Sequence, residues 1–249
     1  MSAILTIAKR EVFAFFVSPI AYVVLTVWLI IFGVEFYMLA FVFGQQPGAD
    51  SNLLTAFFGG TALFYVPLLF FGPVLTMRLL AEERSSGTIE ALLTAPVSEV
   101  SVVLGKYLAA LTFWVVLWAP TFSYVWIVSR SGEHTVDWGA IGATYLGLFC
   151  IGVFYMAIGL FMSAVARNQI VAAMLTFLAL GGLFIVGILG FLNVSDDIRG
   201  VFEYLGLWTQ MSAFAKGIVD TRYLVFDASM AVIALFFSVR VLQSNRGMP

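Results

Sequence analysis

The sequence predicts an all-α integral membrane protein with six transmembrane helices, and three observations favour that fold class. The 249 residues are 62% hydrophobic and 10% charged, whereas soluble domains carry about 25% charged residues. The mean hydropathy is +1.04. The apolar residues also form runs long enough to cross a hydrocarbon core about 30 Å thick, for which a helix needs roughly 20 residues.

The chain starts with a predicted amphipathic helix over residues 3–17. Apolar residues recur in it at three- to four-residue spacing, and Lys9 and Arg10 lie off that stripe. We expect this helix to lie along the inner membrane surface as an elbow, the alternative being a plain cytoplasmic extension of the first span. Ser18 and Pro19 then turn the chain into that span, because proline is tolerated at a helix start and restricts the residue before it.

Six apolar runs are the predicted spans. They cover residues 20–43, 56–77, 107–128, 145–165, 171–191 and 224–242. The sixth run contains Asp227 near one end and Arg240 near the other, so both side chains are expected to reach toward the membrane interfaces. Between the fifth and sixth spans, residues 195–222 mix charged and aromatic side chains, as amphipathic helices at an interface do.

The Lys and Arg residues indicate the orientation, because cytoplasmic loops carry an excess of them. With the N-terminus inside, eight of the 12 lie in cytoplasmic segments and four in outer ones. The cytoplasmic set is Lys9, Arg10, Arg78, Arg84, Lys106, Arg167, Arg240 and Arg246, and the outer set is Arg130, Arg199, Lys216 and Arg222. We therefore expect a multi-pass protein with both termini in the cytoplasm.

The stretch from Met77 to Glu99 is a polar island between the second and third spans, with six charged residues. The Ser-Ser-Gly cluster at 85–87 favours a turn. Residues 88–94 then predict a short helix that ends before Pro96, and Ser98 is a predicted N-cap for the next long helix. The island therefore predicts a short two-faced helix held out on the cytoplasmic side, which is suited to docking a partner.

Ten residues of the island form a motif with fixed spacing. They are Glu82, Glu83, Arg84, Gly87, Thr88, Glu90, Leu92, Leu93, Pro96 and Ser98. This motif resembles the pattern EERxxGTxExLLxxPxS found between the second and third membrane helices of the type-2 permeases of ATP-binding-cassette (ABC) exporters. The resemblance implies that the short helix, which presents Ile89, Leu92 and Leu93, is a coupling helix that seats in a groove of a cytoplasmic ATPase.

Three further stretches are similar to the gliding-motility and nitrous-oxide-reductase-maturation permeases of that family. They are SPIAYVVL at 18–25, ARNQIVAAMLTF at 166–177 and KGIVDTRYLVFDASMAVIALFFSVRVL at 216–242. In related permeases the region at 195–222 looks like a pair of short outer helices that dip back toward the membrane and cap the path. The alternative is a surface helix that lies in the headgroups.

The resemblance implies a permease that is not itself an enzyme. The Gly-Lys pair at Gly105 and Lys106 lacks the rest of a phosphate-binding G-x-x-x-x-G-K-[ST] loop, so no cofactor is expected in this chain. ATP and Mg²⁺ are expected in a separate ABC ATPase dimer. The further implied partners are a second copy or a sister permease, membrane lipid, and, for the gliding branch, a subunit with a large periplasmic domain, all at a bacterial cytoplasmic membrane. The net charge of −2 and dispersed basic residues give no footprint for nucleic acid.

Other candidate residues have competing interpretations. Glu35 is the one ionisable residue well inside a predicted span, where a charge costs about 3 kcal/mol. It is a candidate for the permeation path or a subunit interface, the alternative being a wetted position near the outer surface. His134, beside Glu133 and Asp137, does not make a metal site, and none is expected. Cys150 is expected to be a small buried hydrophobe.

Small residues and prolines are the remaining features of the spans. Three small-xxx-small pairs allow close helix approach, and we favour packing within the subunit over a dimer seam. These pairs are Gly105 with Ala109, Ala143 with Gly147, and Gly159 with Ser163. Pro67 and Pro120 lie inside spans and are expected to kink them.

Three function classes follow. The first is an exporter permease, and its cargo would be amphiphilic or lipid-linked because the spans offer mainly aromatic, aliphatic, Ser and Thr side chains. The second is a force-transmitting membrane subunit of an ATPase-driven envelope or gliding machine, which moves no substrate. The third, an intramembrane enzyme, is disfavoured because the spans show no paired nucleophile and base.

Overall fold

The computed structural model describes residues 3–45, 53–87, 97–131, 136–189, 200, 202 and 204–246. Helices take up nearly all of these residues, and no strand occurs among them. The all-α fold class is therefore confirmed for the described part of the chain.

The helices follow one another in a simple order. They are α1 (Ala3–Val17), α2 (Pro19–Gly44), α3 (Leu53–Phe57), α4 (Ala62–Thr76), α5 (Ala81–Ser85), α6 (Glu99–Trp118), α7 (Phe122–Ser131), α8 (Trp138–Val165), α9 (Gln169–Leu189), α10 (Leu207–Ala215) and α11 (Thr221–Arg246). A single 3₁₀ turn over Ala119–Thr121 joins α6 to α7. This turn contains Pro120, where the sequence predicted a kink.

Within the described residues, five helices are long and apolar enough to cross a membrane. They cover Pro19–Gly44, Glu99–Arg130, Trp138–Val165, Gln169–Leu189 and Thr221–Ser244. Within an apolar 18-residue stretch of each helix, protein buries 61% of the residues in α6–α7 and 67% in α8, but only 22% each in α2, α9 and α11. The α6–α7 segment and α8 therefore form the centre of the bundle, and the other three long helices form its periphery.

The predicted second span, residues 56–77, is not one helix. α3 ends at Phe57, and α4 begins only after Thr61, which has an extended backbone. Gly60 permits the intervening tight turn, because a Cβ there would lie 2.8 Å from the backbone of Ala56. Phe57 and Phe58 are fully buried, and non-helical backbone at membrane depth is tolerated where protein encloses it.

α4 is shorter than the other membrane helices. Its 15 residues rise about 22 Å, which is less than a hydrocarbon core about 30 Å thick. Pro67 and Pro73 both lie within it and are buried. The buried turn and α3 continue from its N-terminal end, so the predicted span corresponds to α4 together with these elements.

Aromatic side chains join α2, α4 and α6 in the core. The ring of Trp28 is fully buried and lies 4.8 Å from the rings of both Phe71 and Trp118 in edge-to-face geometry. Phe32 and Trp114 complete the cluster, at 4.4 and 6.2 Å from Trp28. Such pairs contribute about 0.5–1.5 kcal/mol each beyond the burial of their area, so this cluster holds three membrane helices together.

The N-terminal helix packs along α6. Phe15 and Phe16 contact Phe113 with ring centroids 5.2 and 5.6 Å apart. A Cβ on Gly105 would lie 2.7 Å from the side chain of Ile7, so the glycine allows the two helices to approach closely. The apolar stripe of α1 therefore faces protein over these contacts.

The other small residues also admit neighbours from the same chain. A Cβ on Gly147 would lie 2.6 Å from the ring of Phe214, and a Cβ on Gly159 would lie 2.1 Å from the hydroxyl oxygen of Thr76. Both distances are too short for any side chain. The close approaches at Gly105, Gly147 and Gly159 thus serve packing within the subunit, as the sequence led us to favour.

Candidate functional site

The polar island begins at α5, which is capped by a side chain from α8. The Ser163 hydroxyl accepts hydrogen bonds from the backbone N–H groups of Leu80 and Ala81, both at 3.0 Å. It also donates to the carbonyl of Met77 at 3.3 Å. Ser163 is fully buried, and its bonds satisfy backbone donors that the start of a helix leaves without an intrahelical partner. The C-terminal half of α8 therefore fixes where α5 begins.

Arg78 and Glu82 form an ion pair one helical turn apart. The Nε and Nη2 atoms of Arg78 donate to the two carboxylate oxygens of Glu82 at 2.8 and 3.2 Å. The Arg78 Nη1 atom donates to the hydroxyl of Ser18 at 3.3 Å, at the junction of α1 and α2. The hydrogen bonds from Arg78 hold the pKa of the Glu82 carboxyl below its usual value, so the pair stays charged near neutral pH.

Lys106 links α5 to α6 and α1. Its Nζ atom lies 2.8 Å from a carboxylate oxygen of Glu83 and 3.3 Å from one of Glu11. Only 2% of Lys106 is exposed, and lysine is almost never buried to that extent unless it is paired. From the sequence, Lys106 is one of the predicted cytoplasmic charges, and nothing local in the sequence indicates its partners.

Arg84 binds the C-terminal end of α8. Its Nη1 atom donates to the carbonyls of Val165 and Ala166 at 3.3 and 3.5 Å. The last carbonyls of a helix have no intrahelical partner and carry partial negative charge, so a cation is stabilising there. Burial lowers the pKa of Arg84, but a guanidinium stays protonated in proteins. Arg84 and Ser163 thus attach both ends of α5 to one helix.

The predicted turn at 85–87 is present. The hydroxyls of Ser85 and Ser86 both bond the carbonyl of Glu82, at 3.0 and 2.9 Å. Gly87 has a φ of +74°, in the left-handed region that glycine adopts without steric cost. At the other end of the island, the Ser98 hydroxyl accepts a bond from the backbone of Ser101 at 3.2 Å and caps α6 as predicted.

The short helix itself lies outside the described residues. Those candidate coupling residues are Thr88, Ile89, Glu90, Leu92, Leu93 and Pro96. The structure therefore locates the start of the island, from Glu82 to Gly87. Glu83 pairs with Lys106 on α6, Arg84 bonds the end of α8, and Glu82 pairs with Arg78.

Glu35 is enclosed by protein. It is 1% exposed, and the Thr61 hydroxyl donates a hydrogen bond to one of its carboxylate oxygens. The wetted position considered from the sequence is therefore wrong. Thr61 directly precedes α4, so the bond ties α2 to the turn that interrupts the predicted second span.

Asp227 is also buried, contrary to the expectation that it reaches an interface. It is 1% exposed, and Gln210 of α10 donates to it at 2.5 Å. No local feature of the sequence indicates this pair, because Gln210 comes from another helix. Asp227 thus holds α10 against α11.

The described part of the chain contains no candidate metal site. No group of three or more His, Cys, Asp or Glu residues there could hold a metal ion, and His134 lies outside that part. Cys150 is partly rather than fully buried.

Comparisons with known proteins give the family. A search of curated proteins finds no match. A comparison with protein families matches residues 5–200 to the family described as ABC-2 family transporter protein. The match covers most of the chain, from α1 through α9, and includes the polar island. The chain therefore belongs to the ABC-2 transporter family, whose members are the multi-pass membrane permeases of ABC transporters and not themselves catalytic.

Proposed function

We propose that this permease couples ATP hydrolysis by a separate cytoplasmic ATPase dimer to the movement of an amphiphilic or lipid-linked substrate. Residues 82–96 would dock on the ATPase, which binds the ATP and Mg²⁺. The observation that carries the proposal is the attachment of α5. Of its three consecutive charged residues, Glu83 pairs with Lys106 on α6, Arg84 bonds the C-terminal end of α8, and Glu82 pairs with Arg78, which follows the end of α4.

These attachments would transmit movement of the docked segment into the membrane. A displacement of residues 88–96 acts on α5 through Gly87. Because Glu83 is paired with Lys106 on α6 and Ser163 caps α5 from α8, the two central helices must follow. Breaking a buried ion pair costs about 3–5 kcal/mol, so the Lys106 contact is suited to survive such a displacement.

The polar groups within the membrane helices support the substrate class. The described helices bury few polar side chains. One carboxylate oxygen of Glu35 accepts a hydrogen bond from Thr61, and one of Asp227 accepts a hydrogen bond from Gln210, while the other oxygen of each is buried without a partner among the described residues. A hydrophilic cargo would need a polar lining that these helices do not offer. An amphiphilic or lipid-linked cargo requires far fewer such groups.

The topology we propose has six crossings, with α4 and its buried turn as the second. Six crossings place both termini on one side, and the distribution of Lys and Arg favours the cytoplasm. The membrane would be the bacterial inner membrane. The peripheral helices α2, α9 and α11 leave most of their surface uncovered, which supports pairing with a second copy or a sister permease.

Co-purification tests the docking site. Tagged permease is extracted in a mild detergent, and the proteins that accompany it are identified by mass spectrometry. We expect an ABC ATPase with the wild type and its loss with Leu92→Arg. Ser244→Arg is the matched control, because it adds the same charge at the exposed end of α11 and should retain the ATPase.

Size-exclusion profiles establish that each variant is folded. An ATPase retained equally by a folded Leu92→Arg variant would contradict the docking site. A third subunit with a large periplasmic domain in the same sample would instead favour the force-transmitting alternative, to which the similarity at 216–242 points.

A further inference from the structure

A cleft of about 100 Å³ lies where α1, α2, α4 and α6 meet. Its polar lining comprises Glu11, Ser18, Arg78 and Glu82, and its apolar lining includes Phe15 and Phe113. Ser18 precedes the first residue of α2, and Arg78 follows the end of α4. Because charged side chains are costly in the hydrocarbon core, this cleft must lie at a membrane surface.

The cleft presents charges of both signs. Hydrogen bonds among the described residues use three of the five N–H groups of Arg78. The Arg78 and Glu82 side chains are 31% and 43% exposed, so a ligand can reach both. Glu11 adds a second carboxylate to the lining, and its Oε1 atom also pairs with Arg10 at 2.7 Å and with Lys106 at 3.3 Å.

An apolar groove of about 460 Å³ continues from the cleft along α2 and α4. The two share Val24 and Val74 in their linings, and every residue that lines the groove is apolar. The groove follows α2 from Val24 to Ile31, which is about 10 Å. That length is about two-thirds of one leaflet of a hydrocarbon core about 30 Å thick.

We propose that the cleft and the groove together bind one phospholipid with a primary-ammonium headgroup, as in phosphatidylethanolamine. The phosphate contacts the guanidinium of Arg78, the ammonium contacts the carboxylates of Glu82 and Glu11, and one acyl chain lies between α2 and α4. In this arrangement the polar cleft binds the headgroup and the adjoining apolar groove binds the acyl chain, as the two parts adjoin in a membrane lipid. It does not depend on the direction or the cargo of transport.

The charges favour this headgroup over others. A phosphatidylglycerol headgroup has no cation for the two carboxylates. A choline headgroup is cationic, but its quaternary ammonium has no N–H and cannot donate a hydrogen bond. Charge-assisted hydrogen bonds are about twice as strong as neutral ones, so the ethanolamine headgroup gains contacts that the other two lack.

Native mass spectrometry of the full-length, delipidated protein tests the proposal. The protein is titrated separately with phosphatidylethanolamine, phosphatidylcholine and phosphatidylglycerol that carry the same acyl chains. We expect about tenfold tighter binding of the first, which corresponds to one charge-assisted contact. Glu82→Gln should remove that preference, and Arg78→Gln should weaken the binding of all three lipids because the phosphate is common to them. Arg240→Gln, at an exposed arginine on α11, should leave both the preference and the affinities unchanged.

A variant in the groove separates lipid binding from folding. Val27 lines the groove and is 43% exposed, so Val27→Trp is compatible with the fold and fills the space assigned to the acyl chain. We expect it to weaken phosphatidylethanolamine binding without touching the headgroup residues. Equal binding of the three lipids by the wild type, or undiminished affinity of Val27→Trp for phosphatidylethanolamine, would overturn the site and indicate unspecific lipid contact only.

Discussion

Lys106 joins three helices through one buried ammonium group. Its carboxylate partners come from α1 and α5, while the lysine itself lies on α6. A lysine in this position must have its charge compensated. The need to compensate the buried charge of Lys106 therefore fixes the position of the polar island relative to the membrane helices.

Replacing this lysine should destabilise the protein. Lys106→Met removes the charge and keeps an unbranched side chain, and loss of one member of a buried ion pair costs about 3–5 kcal/mol. We expect a lower midpoint of thermal unfolding in detergent. Lys9→Met, at an exposed position on α1, is the control and should leave the midpoint unchanged. Identical midpoints for the two variants would show that Lys106 does not hold α5.

Gly87 should be sensitive to substitution through its backbone alone. A Cβ there meets no atom within 4 Å, but φ is +74°, and a left-handed conformation costs an L-residue about 1–2 kcal/mol. We expect Gly87→Ala to lower the stimulation of the ATPase by the permease. Gly142 also has open space around its Cβ position and no positive φ, so Gly142→Ala should keep full stimulation. Full stimulation in Gly87→Ala would refute the role of the turn.

At the scale of single residues, the sequence predicted the features that depend on neighbouring residues in the chain. The turn at Gly87 and the N-cap at Ser98 depend on residues within one helical turn. The partners of Lys106, Glu35 and Asp227 come from other helices, and a polar residue in an apolar run does not reveal which neighbour will satisfy it. Their pairing required the tertiary structure.

At the scale of elements, α5 shows how a very short helix is positioned. It has only five residues, and isolated helices of that length are not stable in water. Its start is held by Ser163 and its end by the contact of Arg84 with the end of α8. Tertiary bonds, and not helix propensity, therefore define this element.

Removing the cap on α5 tests that conclusion. Ser163→Ala leaves the backbone N–H groups of Leu80 and Ala81 without their hydroxyl acceptor, which costs about 1 kcal/mol or more. We expect lower thermal stability and faster hydrogen exchange confined to the region around α5. Ser123→Ala is the control, since Ser123 is exposed and bonds only a carbonyl of its own helical turn. Unchanged exchange around α5 would mean that Ser163 does not position it.

Hydropathy predicted the long helices but did not predict the turn that separates α3 from α4. The residues around the α3–α4 turn are apolar, so their hydropathy is that of a continuous span. The signal for the turn was the glycine pair at Gly59 and Gly60, a dipeptide typical of turns. Likewise, the stripe on α1 predicted an amphipathic helix but not that Phe15 and Phe16 would pack on α6.

At the scale of the whole molecule, the two central elements, α6–α7 and α8, receive the ion pair of Glu83 and the hydrogen bonds that hold both ends of α5. The peripheral helices α2, α9 and α11 expose apolar faces suited to lipid or to a second permease subunit. In the proposed function, this arrangement would connect the docking segment to the centre of the bundle. The family identifies the chain as a permease, and the attachment of α5 suggests how a partner would drive it.

The rate of ATP hydrolysis by the partner ATPase, measured with reconstituted permease, tests the coupling most directly. The informative variant combines Lys106→Met with Arg84→Gln, which removes the attachments of α5 to α6 and to the end of α8 and leaves residues 88–96 unchanged. If α5 transmits movement, the variant still binds the ATPase but stimulates it no more than protein-free liposomes do. Stimulation equal to that of the wild type would contradict the account.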